Sequence, residues 1–336
     1  MLSDRRPRLT PAIADVRRAV RESIAGEVDG TLVLVALSGG PDSLALAAAT
    51  AFEAPRAGLR AGAVIVDHGL QESSADVASA ASAHATSLGL DPVLVRTVEV
   101  GSAGGPEAAA REARYATIEG ARRDTEASVV LLGHTLDDQA ETVLLGLARG
   151  SGPTSLAGMP HRRGSIVRPL LGVTRSTTVR FCADSGLEPW IDPHNADPAF
   201  ARVRARKTVL PVLERELGPG IAASLARTAE QVREDAEALD HFAEEIIEEL
   251  AEPAEAGIAL GVAALANNPA ALRQRLIRLV VEGEFHVSLT RAHTLEVAKL
   301  VTEWHGQGPV DLPGIRVVRR GGRIEFQSAS HGTASP

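Results

Sequence analysis

An unbroken apolar run followed by a small, glycine-rich turn constrains the fold of this chain more than any other feature of its sequence. Residues 32–37 are all apolar, and residues 44–50 after the turn are typical of a helix. A continuous apolar run of this length indicates a strand that is buried on both faces, as in a parallel sheet. The turn between strand and helix consists of Ser38, Gly39, Gly40, Pro41, Asp42 and Ser43.

This succession of strand, loop and helix can bind an anion. Gly39 and Gly40 carry no side chain, so their backbone N–H groups can approach oxygen atoms closely, and the dipole of the following helix favours negative charge. Ser38 and Ser43 add hydroxyl donors, and the carboxylate of Asp42 can hold a magnesium ion. The turn lacks the lysine and the spacing of a Walker loop. The alternative is a turn that connects strand and helix without binding a ligand, and the apolar strand before it and the helix after it argue against that alternative.

A second apolar strand leads into an acidic helix start. Residues 129–132 are apolar, and the helix predicted to begin near residue 137 has an acidic first turn. The residues of interest here are Gly133, His134, Asp137, Asp138 and Glu141. Asp137 and Glu141 are four residues apart and share one helix face. A solvated, N-capped helix explains this local pattern equally well. Position favours a ligand site, because both loops leave the C-terminal ends of apolar strands, where open α/β sheets bind ligands.

The first loop resembles the S-G-G-x-D-S loop of the PP-loop ATP pyrophosphatases, which split ATP between its α and β phosphates. The resemblance implies that the loop binds the pyrophosphate and that a substrate receives AMP. Residues 64–70 resemble the strand that receives adenine in that family. The implied ATP-binding residues are Ser38, Gly39, Gly40, Pro41, Asp42, Ser43, Val66, Asp67, His68 and Gly133.

Longer segments resemble the tRNA(Ile)-lysidine synthetases, over roughly residues 30–215 and more weakly to about residue 326. Residues 133–142 are similar to that family's second signature, and residues 110–115 to its A-R-x-x-R-Y helix. Residues 149–152 and 168–171 resemble the segment that leaves the catalytic sheet, and residues 192–211 resemble a block that begins D-x-x-N-x-D. Val203 stands where the family usually has Asn, so the contact of that amide is lost or supplied elsewhere.

In this family, ATP activates O2 of the wobble cytidine in the CAU anticodon of an isoleucine tRNA, and the ε-amine of L-lysine then displaces AMP at C2. The resemblance implies ATP and Mg²⁺ as cofactors and tRNA(Ile) and L-lysine as partners. The attacking amine must lose a proton, and Asp137 is the first choice for the base, with Glu141 second. Charge on the α-phosphate requires cations, which Arg111, His134 and a magnesium ion are expected to supply. The expected magnesium ligands are Asp42 and Asp138.

Positive charge is grouped along the chain although the formal net charge is −8. Residues 230–255 contain eleven acidic residues and one arginine, so the rest of the chain is slightly basic. Residues 142–183 contain six arginines and no acidic residue. Clustered arginines suit phosphate oxygens and strengthen RNA binding through counterion release, although each one alone is explained as well by a solvated surface. The expected tRNA-binding residues are Arg149, Arg168, Arg202, Arg204 and Arg206.

The cysteine count argues against a sulfur-inserting relative. Such enzymes generally need cysteines to carry a persulfide or to hold an iron–sulfur cluster, which typically has three or four thiolate ligands. This chain has one cysteine, Cys182, in a helix-like segment where a buried apolar role is expected. The single cysteine also excludes a disulfide framework, and no spacing of Cys and His suits a zinc site.

The pattern along the chain predicts an α/β fold with a doubly wound parallel sheet, followed by a smaller, mainly helical domain with a terminal hairpin. Strands are expected near residues 32–37, 62–67, 93–100 and 128–134. Helices are expected over 219–252, 269–283 and 290–304, before a hairpin with a Gly-Gly turn. The predicted domains are an ATP-binding catalytic domain (1–215), a tRNA-binding domain (216–326) and a disordered tail (327–336).

The sequence also predicts where the protein acts. No run approaches the 18 apolar residues of a membrane span, and the N-terminus leads into no signal-peptide core, so a cytoplasmic protein without membrane contact is expected. The oligomeric state stays open, with a homodimer as one alternative. Two other functions remain open as well. One is a different PP-loop ligase or amidating enzyme that acts on a small molecule, and the other is a non-enzymatic nucleotide-binding regulator.

Overall fold

The computed structural model describes residues 9–67, 74–98, 106–150, 152–192, 197–254 and 257–329. The chain divides into two compact units, of which the first ends at Arg233 and the second begins at Glu234. The sequence-based division after residue 215 lies N-terminal to this boundary and stays a prediction. In the described part of the chain, no helix is both long and apolar enough to cross a membrane.

The first unit is built on a six-stranded sheet whose order is β3-β2-β1-β4-β6-β5. Strands β1 to β4 and β6 run parallel, and the short β5 pairs antiparallel with β6. The strands are β1 (Leu32–Ala36), β2 (Arg60–Asp67), β3 (Val93–Thr97), β4 (Val129–Leu132), β5 (Arg162–Arg163) and β6 (Ile166–Val167). The four predicted strands are confirmed, although residues 99–100 of the predicted third strand lie outside the described residues.

Both faces of this sheet are covered, as the unbroken apolar sequence of β1 requires. The helices of the first unit are α1 (Pro11–Ile24), α2 (Pro41–Glu53), α3 (Ser74–Ser87), α4 (Pro106–Asp124), α5 (Leu136–Ala148), α6 (Pro153–Leu156), α7 (Arg175–Asp184), α8 (Ala201–Arg204) and α9 (Leu210–Leu217). Val33 and Val35 belong to a buried cluster with residues of α1 and α2, whereas Leu32 and Leu34 cluster with Ile118 of α4. Alternate side chains of β1 therefore enter two opposite cores, which confirms the doubly wound arrangement.

The order of the strands determines where a ligand can bind. The chain builds β1, β2 and β3 outward on one side and then crosses to place β4 on the other side of β1. The loops that follow β1 and β4 therefore flank a topological switch point at the C-terminal edge of the sheet. This edge is where open α/β sheets bind their ligands.

The second unit combines helices with a five-stranded antiparallel sheet of order β7-β8-β11-β10-β9. Helix α10 (Ile221–Leu250) begins in the first unit, and the others are α11 (Val262–Asn267), α12 (Ala270–Phe285) and α13 (Arg291–Thr302). The strands are β7 (Ala251–Ala254), β8 (Gly257–Gly261), β9 (Val310–Leu312), β10 (Ile315–Arg320) and β11 (Arg323–Ser328). Phe326 and Ile324 of β11 pack in a core with Leu276 and Ile277 of α12.

The terminal hairpin is confirmed, and the sheet around it is larger than the sequence analysis predicted. Gly321 and Gly322 both have positive φ angles, of 52° and 80°, as a tight two-residue hairpin turn requires. The helix predicted over 219–252 ends at Leu250, and β7 follows it directly. Pro253 accounts for the early end, because a proline disfavours helical backbone at the residue before it. Gln327 and Ser328, predicted to be in the disordered tail, close β11.

Candidate active site

The loop after β1 forms a cradle of backbone and hydroxyl groups. Gly39 has a φ of +82°, and Gly40 is the N-cap of α2, with Pro41 in the first turn. The hydroxyl of Ser43 accepts a hydrogen bond from the N–H of Ser38 (3.2 Å) and donates to the carbonyl of Gly40 (3.0 Å). The two serine hydroxyls are 3.0 Å apart. The predicted loop is thus held in one shape at the N-terminus of a 13-residue helix, where negative charge is favoured.

A cleft of about 280 Å³ lies beside this loop, at the C-terminal ends of β1 and β2. Ser38, Gly40, Val66 and Asp67 line it, as the resemblance implied for a nucleotide site. The other lining residues include Arg114, Trp190 and Asp192. The N–H of Trp190 donates to the carbonyl of Gly39 (2.9 Å), so the segment that carries Trp190 is bonded to the loop itself. His68, also predicted for this site, lies outside the described residues.

The loops after β1 and β4 touch each other at Gly133. A Cβ atom at this position would lie only 3.0 Å from the carbonyl carbon of Asp42 and 3.0 Å from the nitrogen of Ser43. Both of those atoms belong to the backbone, which cannot turn aside as a side chain can. Glycine therefore allows the acidic start of α5 to approach the anion cradle directly.

Arg175 joins the carboxylates of the two loops. Its Nε lies 3.5 Å from Oδ2 of Asp42, its Nη2 donates to Oδ1 of Asp138 (2.6 Å), and its Nη1 donates to Oε1 of Glu141 (3.3 Å). Its backbone N–H donates to Oδ2 of Asp137 (2.8 Å). The sequence analysis counted Arg175 only as one member of an arginine-rich stretch. All four candidate acids thus converge on one residue at the start of α7.

Arg206 completes the acidic cluster from the other side. Its Nε donates to Oε1 of Glu141 (2.6 Å) and its Nη2 donates to Oε2 (3.0 Å), which is the bidentate geometry that suits a guanidinium and a carboxylate. Glu141 has no solvent-exposed side-chain surface. Arg206 lies in a π-helical turn (Ala205–Val209), which widens the helix between α8 and α9. The guanidinium group of Arg206 therefore binds the acidic cluster.

The pKa values of Asp138 and Asp42 shift in opposite directions because their environments differ. Burial opposes ionisation of Asp138, but Arg175 and the hydrogen bonds from Thr135 outweigh it and hold the pKa of Asp138 below its usual range. Burial dominates at Asp42 and raises its pKa, although Thr178 donates a hydrogen bond to the carboxylate and Arg175 lies beside it. Asp42 is thus the acid of this pair whose negative charge is under-compensated.

Asp42 is better suited than Asp138 to be a ligand of magnesium. Both carboxylates accept hydrogen bonds on both oxygens, but Arg175 donates to Oδ1 of Asp138 at 2.6 Å and lies 3.5 Å from Oδ2 of Asp42, so the charge of Asp138 is the better compensated. Among the described residues, no group of three or more His, Cys, Asp or Glu side chains can hold a metal by itself. Mg²⁺ commonly binds through one or two carboxylates together with substrate phosphates, and Asp42 at the anion cradle suits that pattern. A cation there would also relieve the under-compensated charge of Asp42.

Burial opposes protonation of His134, which favours a neutral imidazole near pH 7 over the cation that the sequence analysis expected. Burial, and then the nearby guanidinium groups of Arg114, Arg168 and Arg111, lower the pKa of His134 to about 3, although Asp138 opposes the shift. Its Nδ1 is buried without a hydrogen-bond partner among the described residues. A neutral imidazole can still accept or donate a hydrogen bond to a substrate.

The five arginines predicted to bind tRNA lie in different settings. Arg149 is exposed where α5 ends, and Arg204 is exposed with hydrogen bonds to the carbonyls of Pro198 and Ala199. Arg202 is half-buried. Arg168 is 5% exposed, and Arg206 is bound to Glu141, so both face the interior of the site. For these two residues, we replace the expectation of a surface phosphate contact with a role inside the site.

Comparison with known proteins identifies the chain. Residues 14–213 match the family described as the PP-loop domain, and residues 260–325 match the TilS substrate binding domain. The fold, the anion cradle and these matches define a PP-loop protein that uses ATP. A tRNA(Ile)-lysidine synthase of Leifsonia xyli subsp. xyli is 64% identical over 298 residues, which cover 88% of this chain and 90% of that protein. The chain belongs to the tRNA(Ile)-lysidine synthase family.

Further comparisons agree with this assignment. The tRNA(Ile)-lysidine synthase of Thermobifida fusca is 54% identical over 312 residues, which cover 92% of this chain and 95% of that protein. Among solved structures, the U34-tRNA thiolase NcsA from Methanococcus maripaludis matches with a TM-score of 0.56 at 20% identity, covering 66% of this chain and 80% of that one. This likeness shows the fold alone. That thiolase was solved with an iron–sulfur cluster, whereas Cys182 is the single cysteine here.

Proposed function

We propose that the protein ligates L-lysine to C2 of the wobble cytidine in the CAU anticodon of tRNA(Ile), with ATP as the source of the leaving group. Membership of the tRNA(Ile)-lysidine synthase family supports this reaction. The observation that carries it is the contact at Gly133, which brings an anion cradle and an acidic cluster together at one edge of the sheet. One site can therefore activate the base and receive the amine.

In the first step, O2 of the cytidine attacks the α-phosphate of ATP and pyrophosphate leaves. The backbone N–H groups of Gly39, Gly40, Asp42 and Ser43 and the hydroxyls of Ser38 and Ser43 are suited to bind the leaving pyrophosphate. Asp42 would hold a magnesium ion, which supplies positive charge against the phosphate oxygens when bound. Arg111 is the protein cation that we assign to the α-phosphate. Neutral His134 is suited to a hydrogen bond there.

In the second step, the ε-amine of lysine attacks C2, and the bond between C2 and O2 breaks as AMP leaves. The lysine ammonium, with a pKa of about 10.4, must first lose a proton. Asp137 remains the first choice for the base, because its Oδ2 is bound by the N–H of Arg175 while Oδ1 has no protein partner among the described residues. Glu141 is the second choice, since both of its oxygens are bound by Arg206.

The tRNA must present an unstacked cytidine to reach this site. Arg149 and Arg204 are exposed and Arg202 is half-buried, so these three predicted residues are suited to hold phosphates near the anticodon, whereas Arg206 is bound to Glu141. We retain recognition of the CAU anticodon, a cytoplasmic location and a homodimer as parts of the proposal. Sedimentation at several protein concentrations tests the last of these directly.

Incorporation of lysine into RNA tests the proposed function. The protein is incubated with ATP, radiolabelled lysine and a tRNA(Ile) transcript that has a CAU anticodon, and acid-precipitable label is counted. A matched transcript with UAU in its place is the control. We expect label to enter the CAU transcript in a reaction that requires ATP. Equal label in both transcripts, or none in either, would contradict the proposal.

A further inference from the structure

The guanidinium group of Arg168 is buried, and no carboxylate of the described residues pairs with it. Its Nη1 donates to the carbonyl of Pro160 (3.0 Å), and its Nη2 lies 3.4 Å from the hydroxyl of Tyr115. Its Nε has no partner among the described residues, and none of the carboxylates there pairs with it. A buried charge is costly unless it is paired, so such an arrangement calls for an explanation.

Tyr115 brings a second guanidinium group to the same oxygen. The Nη2 of Arg111 lies 3.5 Å from the Tyr115 hydroxyl, and its guanidinium carbon lies 5.1 Å from the centre of the Tyr115 ring. A phenol oxygen has two lone pairs and can accept both hydrogen bonds, while the ring attracts the cation. Burial would raise the pKa of Tyr115, but Arg168, Arg111 and Arg114 together lower it, so the oxygen is strongly polarised. Tyr115 therefore holds Arg111 by its ring and by its hydroxyl.

If the contact between Tyr115 and Arg168 only held α4 in place, a phenol shared by two guanidinium groups would not be required. One turn further along α4, Glu119 already binds the hydroxyl of Ser165 (2.9 Å) and pairs with Arg122. A carboxylate at position 115 would bind Arg168 more strongly than a phenol does. It would also cancel positive charge beside Arg111, whereas a neutral phenol accepts the hydrogen bonds and leaves both guanidinium groups available to an anion.

We propose that Tyr115 is a positioning residue, which is anchored by Arg168 and holds the guanidinium of Arg111 in place to receive the α-phosphate of the nucleotide. The inference rests on the proposed function, in which Arg111 takes that phosphate. His134, whose buried Nδ1 has no partner among the described residues, lies near all three arginines, so this cluster belongs to the candidate site.

The test compares the binding of AMP with that of adenosine, because the difference between them reports the phosphate contact alone. Calorimetry is done on the full chain and on Tyr115→Phe, which keeps the ring and removes the hydroxyl. We expect Tyr115→Phe to weaken AMP binding by roughly three- to tenfold and to leave adenosine binding within about twofold. Ser165→Ala is the matched control. It removes the hydrogen bond between Ser165 and Glu119 of α4 and should change the affinity for neither AMP nor adenosine.

A double-mutant cycle decides whether Tyr115 acts through Arg111. Arg111→Ala should weaken AMP binding at least as much as Tyr115→Phe does, and the double variant should be no weaker than Arg111→Ala alone. Additive losses, equal weakening of AMP and adenosine, or unchanged AMP binding would each overturn the inference. Lysine incorporation by the wild-type protein is measured in parallel. Its absence would contradict the proposed function, while the comparison of AMP with adenosine would still decide the role of Tyr115.

Discussion

The two carboxylate oxygens of Asp137 can serve different purposes, one as the acceptor for a backbone N–H and the other as the base for the lysine ammonium. Oδ2 accepts the N–H of Arg175 at the start of α7, and Oδ1 has no protein partner among the described residues. Asp137→Asn keeps an oxygen for the first task and removes the charge needed for the second. We expect this variant to form adenylated tRNA from ATP but to fail to convert it when lysine is added, because no carboxylate takes the proton of the ammonium. Rapid-quench analysis of the tRNA measures both steps.

Two other outcomes would assign Asp137 differently. Loss of adenylation with an intact fold would mean that Asp137 organises the nucleotide, and the role of the base would pass to Glu141. Lysine transfer at the wild-type rate would leave Asp137 only as the acceptor for the N–H of Arg175.

His134 gives the protein a predictable sensitivity to acid. Its pKa falls from the ordinary value of 6.5 to about 3, so the unfolded chain binds a proton near pH 6 that the folded chain does not. The stability that this neutral histidine contributes is complete above pH 6.5 and declines as the pH falls toward 3. Between pH 7 and pH 5, the wild type should lose about 2 kcal/mol of unfolding free energy on this account.

The contribution of His134 is isolated by difference. Urea unfolding is followed by the fluorescence of Trp190, in a background that carries Trp304→Phe, at pH 7 and pH 5. His134→Gln should show a smaller loss of stability between these pH values than its parent does. An identical loss in both proteins would mean that folding does not lower the pKa of His134.

At the scale of elements, the approach of the loops after β1 and β4 depends on one missing side chain. Gly133→Ala puts a Cβ atom 3.0 Å from backbone atoms of Asp42 and Ser43, so the anion cradle or the start of α5 must shift. We expect ATP affinity to fall by about tenfold or more, since an alanine in tight packing costs roughly 1–3 kcal/mol. Gly120→Ala on α4 is the control, because a Cβ there meets nothing within 4 Å. Equal ATP affinities for the two variants would contradict this account.

The strands and loops that build the site were predictable because local sequence determines them. The apolar run at 32–37 can be stable only between two cores, and Gly39 and Gly40 indicated backbone approach to an anion. The second unit was harder. β7 and β8 are short, and β7 includes Glu252 and Pro253 next to a long acidic helix. Such strands are stabilised by pairing with β11 and with each other, which no local pattern reveals.

Contacts that join distant segments were the part of the site that sequence reasoning missed. Arg175 lies 38 residues beyond Asp137 and carries no motif that distinguishes it from other arginines nearby. Trp190 lies in a segment without regular secondary structure after α7, and its N–H donates to the carbonyl of Gly39 at the cleft. Arg206 belongs to a predicted arginine cluster, but the π-helical turn and the buried Glu141 direct it inward. The acidic residues themselves could have predicted a partner such as Arg175, because a buried cluster of carboxylates near neutral pH needs a cation.

The whole molecule separates its charges along the chain. Acidic residues dominate 230–255, whereas the arginines that surround the candidate site come from α4, α7, the β6 region and the turn after α8. The net charge of −8 therefore describes the chain as a whole and not the surface that a tRNA would meet. Binding of RNA by this protein is expected to be local and to weaken as salt is added.

The order in which ATP and lysine label the tRNA tests the central claim most directly. ATP labelled in its α-phosphate and lysine with a second label are followed through a single turnover on tRNA(Ile) with a CAU anticodon. The account predicts that the label from ATP enters the tRNA first and leaves as AMP in equal amount as lysine enters, with pyrophosphate as the other product. Release of ADP and phosphate, or entry of lysine with no transient label from ATP, would contradict it.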